Sequence, residues 1–461
     1  MGDRRAGQPQ TAYGEHGEKA AYDALHHEEL AIAVVEHIGN MLPGSVIAVQ
    51  GSWGRGKTDV VTRVHELFAK SDGPAPIWID PWQYGRPDLI QPVIVELLRR
   101  SRGGPADKQK WLKDTARTLL HASNAMAFKA VSVFVPFGSI IDPAKEPVDD
   151  LIDRALGGGG PRPDVVADPV HEMAERFRDL VEVIAPRNSA KPLLVCVDDL
   201  DRCLPDQQIA MLEAIHFLTS ARANCAFLIA VDPLLVQQAA LAHYRTDKLD
   251  INQYLDKLFQ LRVNLRSLLP AQIGDLVAAE FDDKVAEVLR DGLHADPDAV
   301  RSAFSDVFYL PELTNPRLVH RAFERLRLAA AANIRAGNTA IRAESVLVSL
   351  VAWCAIAERW PQLRQLLQAT GGDPAQWYAN INAVCGHYGY WVGPWADRDE
   401  KDRGELLADA ASIIDRLPGR LRQPDLGQFL NDQFFADHLS GRPGQLAVLQ
   451  KIDEIFVSFG L

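Results

Sequence analysis

Cysteine is scarce in this chain. Cys196, Cys203, Cys225, Cys354 and Cys385 are the five among 461 residues, with no CxxC pair and no Cys/His spacing of a structural zinc site. An odd set of isolated thiols excludes a disulfide-stapled scaffold and reads as free cysteines in a reducing, cytoplasmic setting. An excess of basic residues is missing too. Lys and Arg number 49 against 61 Asp and Glu, a net charge of −12, which argues against a general affinity for nucleic acid or anionic lipid. Residues 1–22 hold no apolar core, so no signal peptide is expected there and the segment reads as a flexible tail.

Long hydrophobic runs are also lacking. The most apolar stretch, AMAFKAVSVFVPFGSII at 125–141, is seventeen residues long and includes Lys129, Pro136 and Gly138. A spanning helix needs about 20 predominantly apolar residues. The run therefore reads as a buried helix or an association hairpin rather than a membrane contact.

What the chain does contain is the balance of a folded globular protein, 47% hydrophobic and 24% charged. At about 150 residues per domain, its length allows two or three domains. SVIAVQG and APIWID are β-type runs, each followed by a helix-like segment (TDVVTRVHELFAK and LIQPVIVELLRR). Further on, the near-continuous apolar runs in KPLLVCVDDLD and NCAFLIAVD alternate with helical HEMAERFRDLVEVIAP and QQIAMLEAIHFLTS. This βαβ pattern predicts an α/β core, a parallel sheet covered by helices on both faces in three layers. The core is expected over 23–265, with an insertion at about 101–168. Beyond 265 strand signals fade, and two all-α regions are expected, a helical lid over 266–345 and a C-terminal helical region over 346–461.

The chemistry concentrates in one contiguous motif. Gly51, Ser52, Trp53, Gly54, Arg55, Gly56, Lys57 and Thr58 spell GxxxxGK[ST] between a predicted strand and a predicted helix. Glycines let the backbone N–H groups wrap a phosphate, and the helix start faces it with its positive end. Lys57 is expected to reach the β- and γ-phosphates and Thr58 to ligate Mg²⁺. Such a loop needs a carboxylate at the end of a neighbouring buried strand, and Asp198 directly follows LLVCV. We assign Asp198 to the magnesium shell and Asp199 as first choice of general base. Asp201 is either an alternative base or a cap for the next helix.

Three more residues carry two readings each. Asp232 ends FLIAVD and is either a γ-phosphate sensor or the cap of the helix starting near Pro233. Arg317, in Thr314-Asn315-Pro316-Arg317, is a lid arginine towards phosphate or an exposed arginine behind a helix cap. Arg202 either serves phosphate, in cis or towards a neighbouring subunit, or pairs with a carboxylate. The five arginines of NPRLVHRAFERLRLAAAANIRA read as a solvated face rather than a nucleic-acid surface. Trp353, Trp360, Trp377, Trp391 and Trp395 read as core.

Together these residues resemble the KAP family of P-loop NTPases. The loop reads GxWGxGKT through Gly51, Trp53, Gly54, Gly56, Lys57 and Thr58. It is followed in order by Asp80-Pro81-Trp82-Gln83-Tyr84, by DDLDRC from Asp198 to Cys203, and by Asn315-Pro316-Arg317. The resemblance implies an ASCE-type ATPase core, with an extra strand between the two motif strands, and a helical lid. ATP rather than GTP, with Mg²⁺, is likewise what the resemblance implies, as are a switch of conformation or assembly driven by hydrolysis and a role in phage defence. Arg55 departs from the small residue common in the family's loop. Association with a second copy or a protein partner is expected through the C-terminal helical region. The competing expectation is a nucleotide-binding scaffold with little turnover.

Overall fold

The β-branched run Ser45–Gln50 forms strand β1, buried at every position, and the rest of the sheet is laid out around it. The computed structural model describes residues 25–84, 90–101, 110–116, 119, 169–244, 251–266, 268–281, 289–290, 296–308, 314–337, 344–361, 383, 386–387, 398–409 and 411. The apolar run 125–141, most of the insertion at 101–168, and Trp377, Trp391 and Trp395 lie outside the described residues. The chain divides into two compact units, one holding His26–Arg266 and the other Ser267–Leu461.

In the first unit the elements follow in the order α1 (His27–Ile38), β1, α2 (Lys57–Ala69), β2 (Ile77–Ile79), a short turn of helix α3 (Pro81–Tyr84) and α4 (Ile90–Arg100). After the insertion come α5 (Pro169–Ile184), β3 (Leu193–Val197), a 3₁₀ turn (Leu200–Arg202), α6 (Pro205–Ser220), β4 (Cys225–Val231), α7 (Pro233–Tyr244), α8 (Ile251–Leu258) and β5 (Leu261–Asn264). All pairings are parallel, and the strand order is β2-β3-β4-β1-β5. Strand β4 therefore lies between the strand that leads into the glycine-rich loop and the strand that ends in the aspartates.

Side chains alternate across a strand, and the core splits accordingly. Ile47, Val49, Leu194, Cys196, Ala226 and Leu228 face α1 and α2, meeting Val34, Ile38, Val60, Val64 and Phe68. Val46, Ala48, Val195, Val197, Phe227 and Ile229 face the opposite layer, meeting Leu97, Phe177, Leu180, Met211 and Leu212 from α4, α5 and α6. Both faces are covered, which explains why β1, β3 and β4 read as continuous apolar runs. Strand β5 is an element the sequence reading did not anticipate. Its four residues LRVN are half-exposed or exposed, and only parallel pairing with β1 from Ile47↔Leu261 to Gln50↔Asn264 makes it a strand.

A charged network ties α1 to α2. His27 Nδ1 lies 2.9 Å from Asp59 Oδ2, and Arg63 donates to both Asp59 and Glu28 at 2.9 Å. Asp59 follows Thr58, so the network fixes the first turn of the helix that the glycine-rich loop opens into.

The second unit is helical where it is described: α9 (Pro270–Glu280), α10 (Pro297–Phe308), α11 (Pro316–Arg335), α12 (Glu344–Arg359) and α13 (Glu400–Asp409). Phe304 centres its core, T-shaped on Phe323 at 5.5 Å and stacked on Phe308 at 5.6 Å between ring centroids. Arg325 reaches Glu358 at 2.6 Å across α11 and α12, and His320 meets Glu280 at 3.0 Å across α11 and α9. Trp353 and Trp360 are buried. Among the described residues no helix is long and apolar enough to cross a membrane.

Candidate nucleotide site

The loop Gly51–Gly56 leaves the C-terminal end of β1 and closes into α2 at Lys57. Gly54 and Gly56 hold φ of 82° and 88°, a left-handed conformation open to glycine without steric cost. Gly56 is the N-cap of α2, and no side chain caps that end. The first-turn N–H groups of a helix lack intrahelical partners, so this start presents donors and a positive dipole end to an anion.

Lys57 is 7% exposed. Its Nζ donates to the Gly51 carbonyl at 2.9 Å and the Ser52 carbonyl at 3.3 Å, and pairs with Asp201 Oδ2 at 3.2 Å. The ammonium is thus folded under its own loop and held by a carboxylate from the far side of β4. Arg55 Nε lies 3.4 Å from Ser52 Oγ, and burial lowers its pKa.

The carboxylates come from the ends of β2 and β3. Asp198 is 4% exposed, its N–H bonded to the Ile79 carbonyl at 3.1 Å. The Thr58 hydroxyl lies near enough to the Asp198 carboxyl to favour its charged form. Burial raises the Asp198 pKa, with Asp201 adding, while its hydrogen bonds and Lys57 oppose the rise. Asp199 stands at φ 56°, left-handed, which aspartate tolerates better than most residues. Its Oδ1 pairs with Arg202 Nε at 2.8 Å. Burial pushes the Asp199 carboxyl up to about 6, with Asp198, Asp80 and Asp201 adding and Arg202 opposing.

A hydroxyl at the helix start and a buried carboxylate at the end of β3 are the hard oxygen donors that magnesium takes. Thr58 and Asp198 fit that ion, and Lys57 with the first turn of α2 fits the phosphates. The capping reading of Asp201 is overturned. Helix α6 is instead entered through Leu204, whose N–H is taken by Gln207 Oε1 at 3.1 Å, and the Asp201 carboxylate lies on Lys57. Asp232 is buried and does cap: its Oδ1 accepts from Leu234 N at 3.0 Å at the start of α7. Arg317 belongs to the second unit, where its N–H donates to Asn315 Oδ1 at 3.0 Å at the start of α11.

Two residues enter the neighbourhood without having been singled out as site residues. Asp80, at the end of β2, lies close enough to raise both Asp199 and Cys203, the latter to about 11 with burial as the larger cause. Trp82, two residues on, stacks on Arg202. The signal for both was positional, because β2 is the neighbour of β3 and the segment leaving β2 emerges beside the aspartates.

The KAP family P-loop domain matches residues 28–333, about two-thirds of the chain. The chain belongs to the KAP family of P-loop NTPases. The KAP match begins in α1 and ends within α11, so it takes in the whole sheet, the glycine-rich loop, the aspartates and the Asn315-Pro316-Arg317 segment. A search among curated proteins finds no match.

Proposed function

We propose that this KAP chain binds ATP with Mg²⁺, hydrolyses it, and uses the cycle to switch the association of its helical region with a protein partner or a second copy. The observation that carries the reading is Lys57 Nζ, held on the Gly51 and Ser52 carbonyls and on Asp201, beside Asp198 buried at the end of β3. Bound magnesium supplies charge neutralisation across the phosphate oxygens. Thr58 and Asp198 would hold it, and Lys57 would leave Asp201 to meet phosphate. Asp199 orients the attacking water and takes its proton, with Asp201 as the alternative base. Arg317 is proposed to contact phosphate once the nucleotide is bound. Phage exclusion as the cellular output rests on family resemblance alone.

A second reading has a specific observation behind it. Asp199 is tied to Arg202 at 2.8 Å, so one carboxylate oxygen is already engaged by a guanidinium rather than by water, which favours a nucleotide-holding scaffold with little turnover. Magnesium-dependent phosphate release with ATP and with GTP separates the two. Under the ATPase reading Asp199→Asn lowers kcat by about a hundredfold or more while binding persists, Lys57→Ala loses both, and the mass by light scattering follows nucleotide state. Tight binding without phosphate release in the parent protein would leave the scaffold.

A further inference from the structure

Arg202 is held by more than its ion pair. Its guanidinium carbon lies 5.7 Å from the ring centroid of Trp53 and 5.7 Å from that of Trp82, while its Nε points at Asp199 Oδ1. The three residues come from three different segments: the loop after β1, the turn after β2 and the turn after β3. Strands β1 and β3 are not neighbours, so the Trp53–Arg202 contact joins loops that the sheet itself keeps apart. Both indoles remain half in solvent, 49% exposed at Trp53 and 56% at Trp82. Arginine over indole is the favourable form of a cation–π contact, and the planar guanidinium can stack while its edge still donates. Such stacking fixes the plane in which Nε points.

We propose that Trp53 and Trp82 are positioning residues that clasp Arg202 between them, aim it at Asp199, and so set the orientation of the carboxylate assigned as general base. The inference rests on the ATPase reading above. It gives Arg202 a role within its own chain, through Asp199. Because Trp53 is part of the loop that wraps the phosphates, the clasp also links occupancy of that loop to the aim of Asp199.

The test uses the full chain labelled with 5-fluorotryptophan, its Trp53 and Trp82 resonances assigned with Trp53→Phe and Trp82→Phe. Magnesium with the non-hydrolysable analogue AMP-PNP should shift both resonances in the parent, and in Arg202→Gln the Trp82 shift should vanish while the Trp53 shift stays. In steady state, Trp82→Ala should lower kcat about tenfold or more, as a misplaced reacting group does, with the analogue Kd changed less than about threefold. Trp82→Phe should recover most of that loss. Trp82 is half exposed, so the fold should hold, and circular dichroism checks it. If Trp82→Ala does not fold, the fluorine shifts alone decide; a parent that binds the analogue but releases no phosphate from ATP overturns the ATPase reading and, with it, the role of the clasp. An unmoved Trp82 resonance in a parent that binds the analogue, or a parent-like kcat in folded Trp82→Ala, overturns the clasp alone. No analogue binding at all overturns the nucleotide reading and the clasp with it.

Discussion

His65 lies on α2 with its ring edge-on to Trp78, centroids 5.6 Å apart. Burial lowers its pKa from 6.5, and Arg100 lowers it further, while Glu66 and a hydrogen bond with the Pro76 backbone act the other way. The folded chain therefore binds fewer protons here than the unfolded chain does, and stability falls as pH drops through 6.5 towards the lower folded value. The slope of unfolding free energy against pH between about 7 and 5, from urea titrations, should be shallower in His65→Phe than in the parent. An unchanged slope would show that the imidazole is not held neutral. At this scale the site was legible wherever its residues are contiguous in sequence. The loop and Asp198 could be read because motif and flanking elements agree. The partner of Asp201 could not, because Lys57 meets it only after the ends of β1 and β3 are brought together. Trp82 was visible as part of an aromatic motif, but its contact with Arg202 is a product of folding alone.

Among the elements, the entry to β1 is the most constrained. Gly44 stands at φ +79°, and a Cβ there would come within 2.6 Å of the Thr219 carbonyl oxygen at the end of α6. Its own N–H bonds the Cys225 carbonyl at the start of β4 at 2.9 Å. Neither the strained backbone nor the neighbouring carbonyl can yield cheaply, so Gly44→Ala should destabilise by about 1–3 kcal/mol, read as a lower urea midpoint at unchanged slope. At the start of α2, Arg63→Ala should cost about 2–4 kcal/mol in the same measurement, because it strips Asp59 of a partner that is itself 7% exposed in its side chain. Strands β1, β3 and β4 were readable because burial on both faces leaves a long apolar signature. Strand β5 was not, since an edge strand that alternates leucine and valine with arginine and asparagine carries too little signal over four residues.

At the scale of the whole molecule, a ligand that binds only the folded state stabilises the unit that holds it. Mg·ATP at 100 times its Kd should add about 2.7 kcal/mol to unfolding of the unit His26–Arg266. Hydrogen exchange should show this as added protection across β1, β3, β4 and the first turn of α2 under conditions without turnover. Lys57→Ala should lose the gain, and an equal gain in that variant would place binding elsewhere. The strand order has one more consequence, for the growing chain on the ribosome. Strand β1 is made early, yet both of its partners, β4 at Cys225–Val231 and β5 at Leu261–Asn264, come far later. At ordinary elongation rates, about 10–35 s pass between the synthesis of β1 and that of β4. Throughout that interval six residues of SVIAVQ are an unpaired apolar edge, so the nascent polypeptide must be shielded from its neighbours until translation has passed the second half of the sheet.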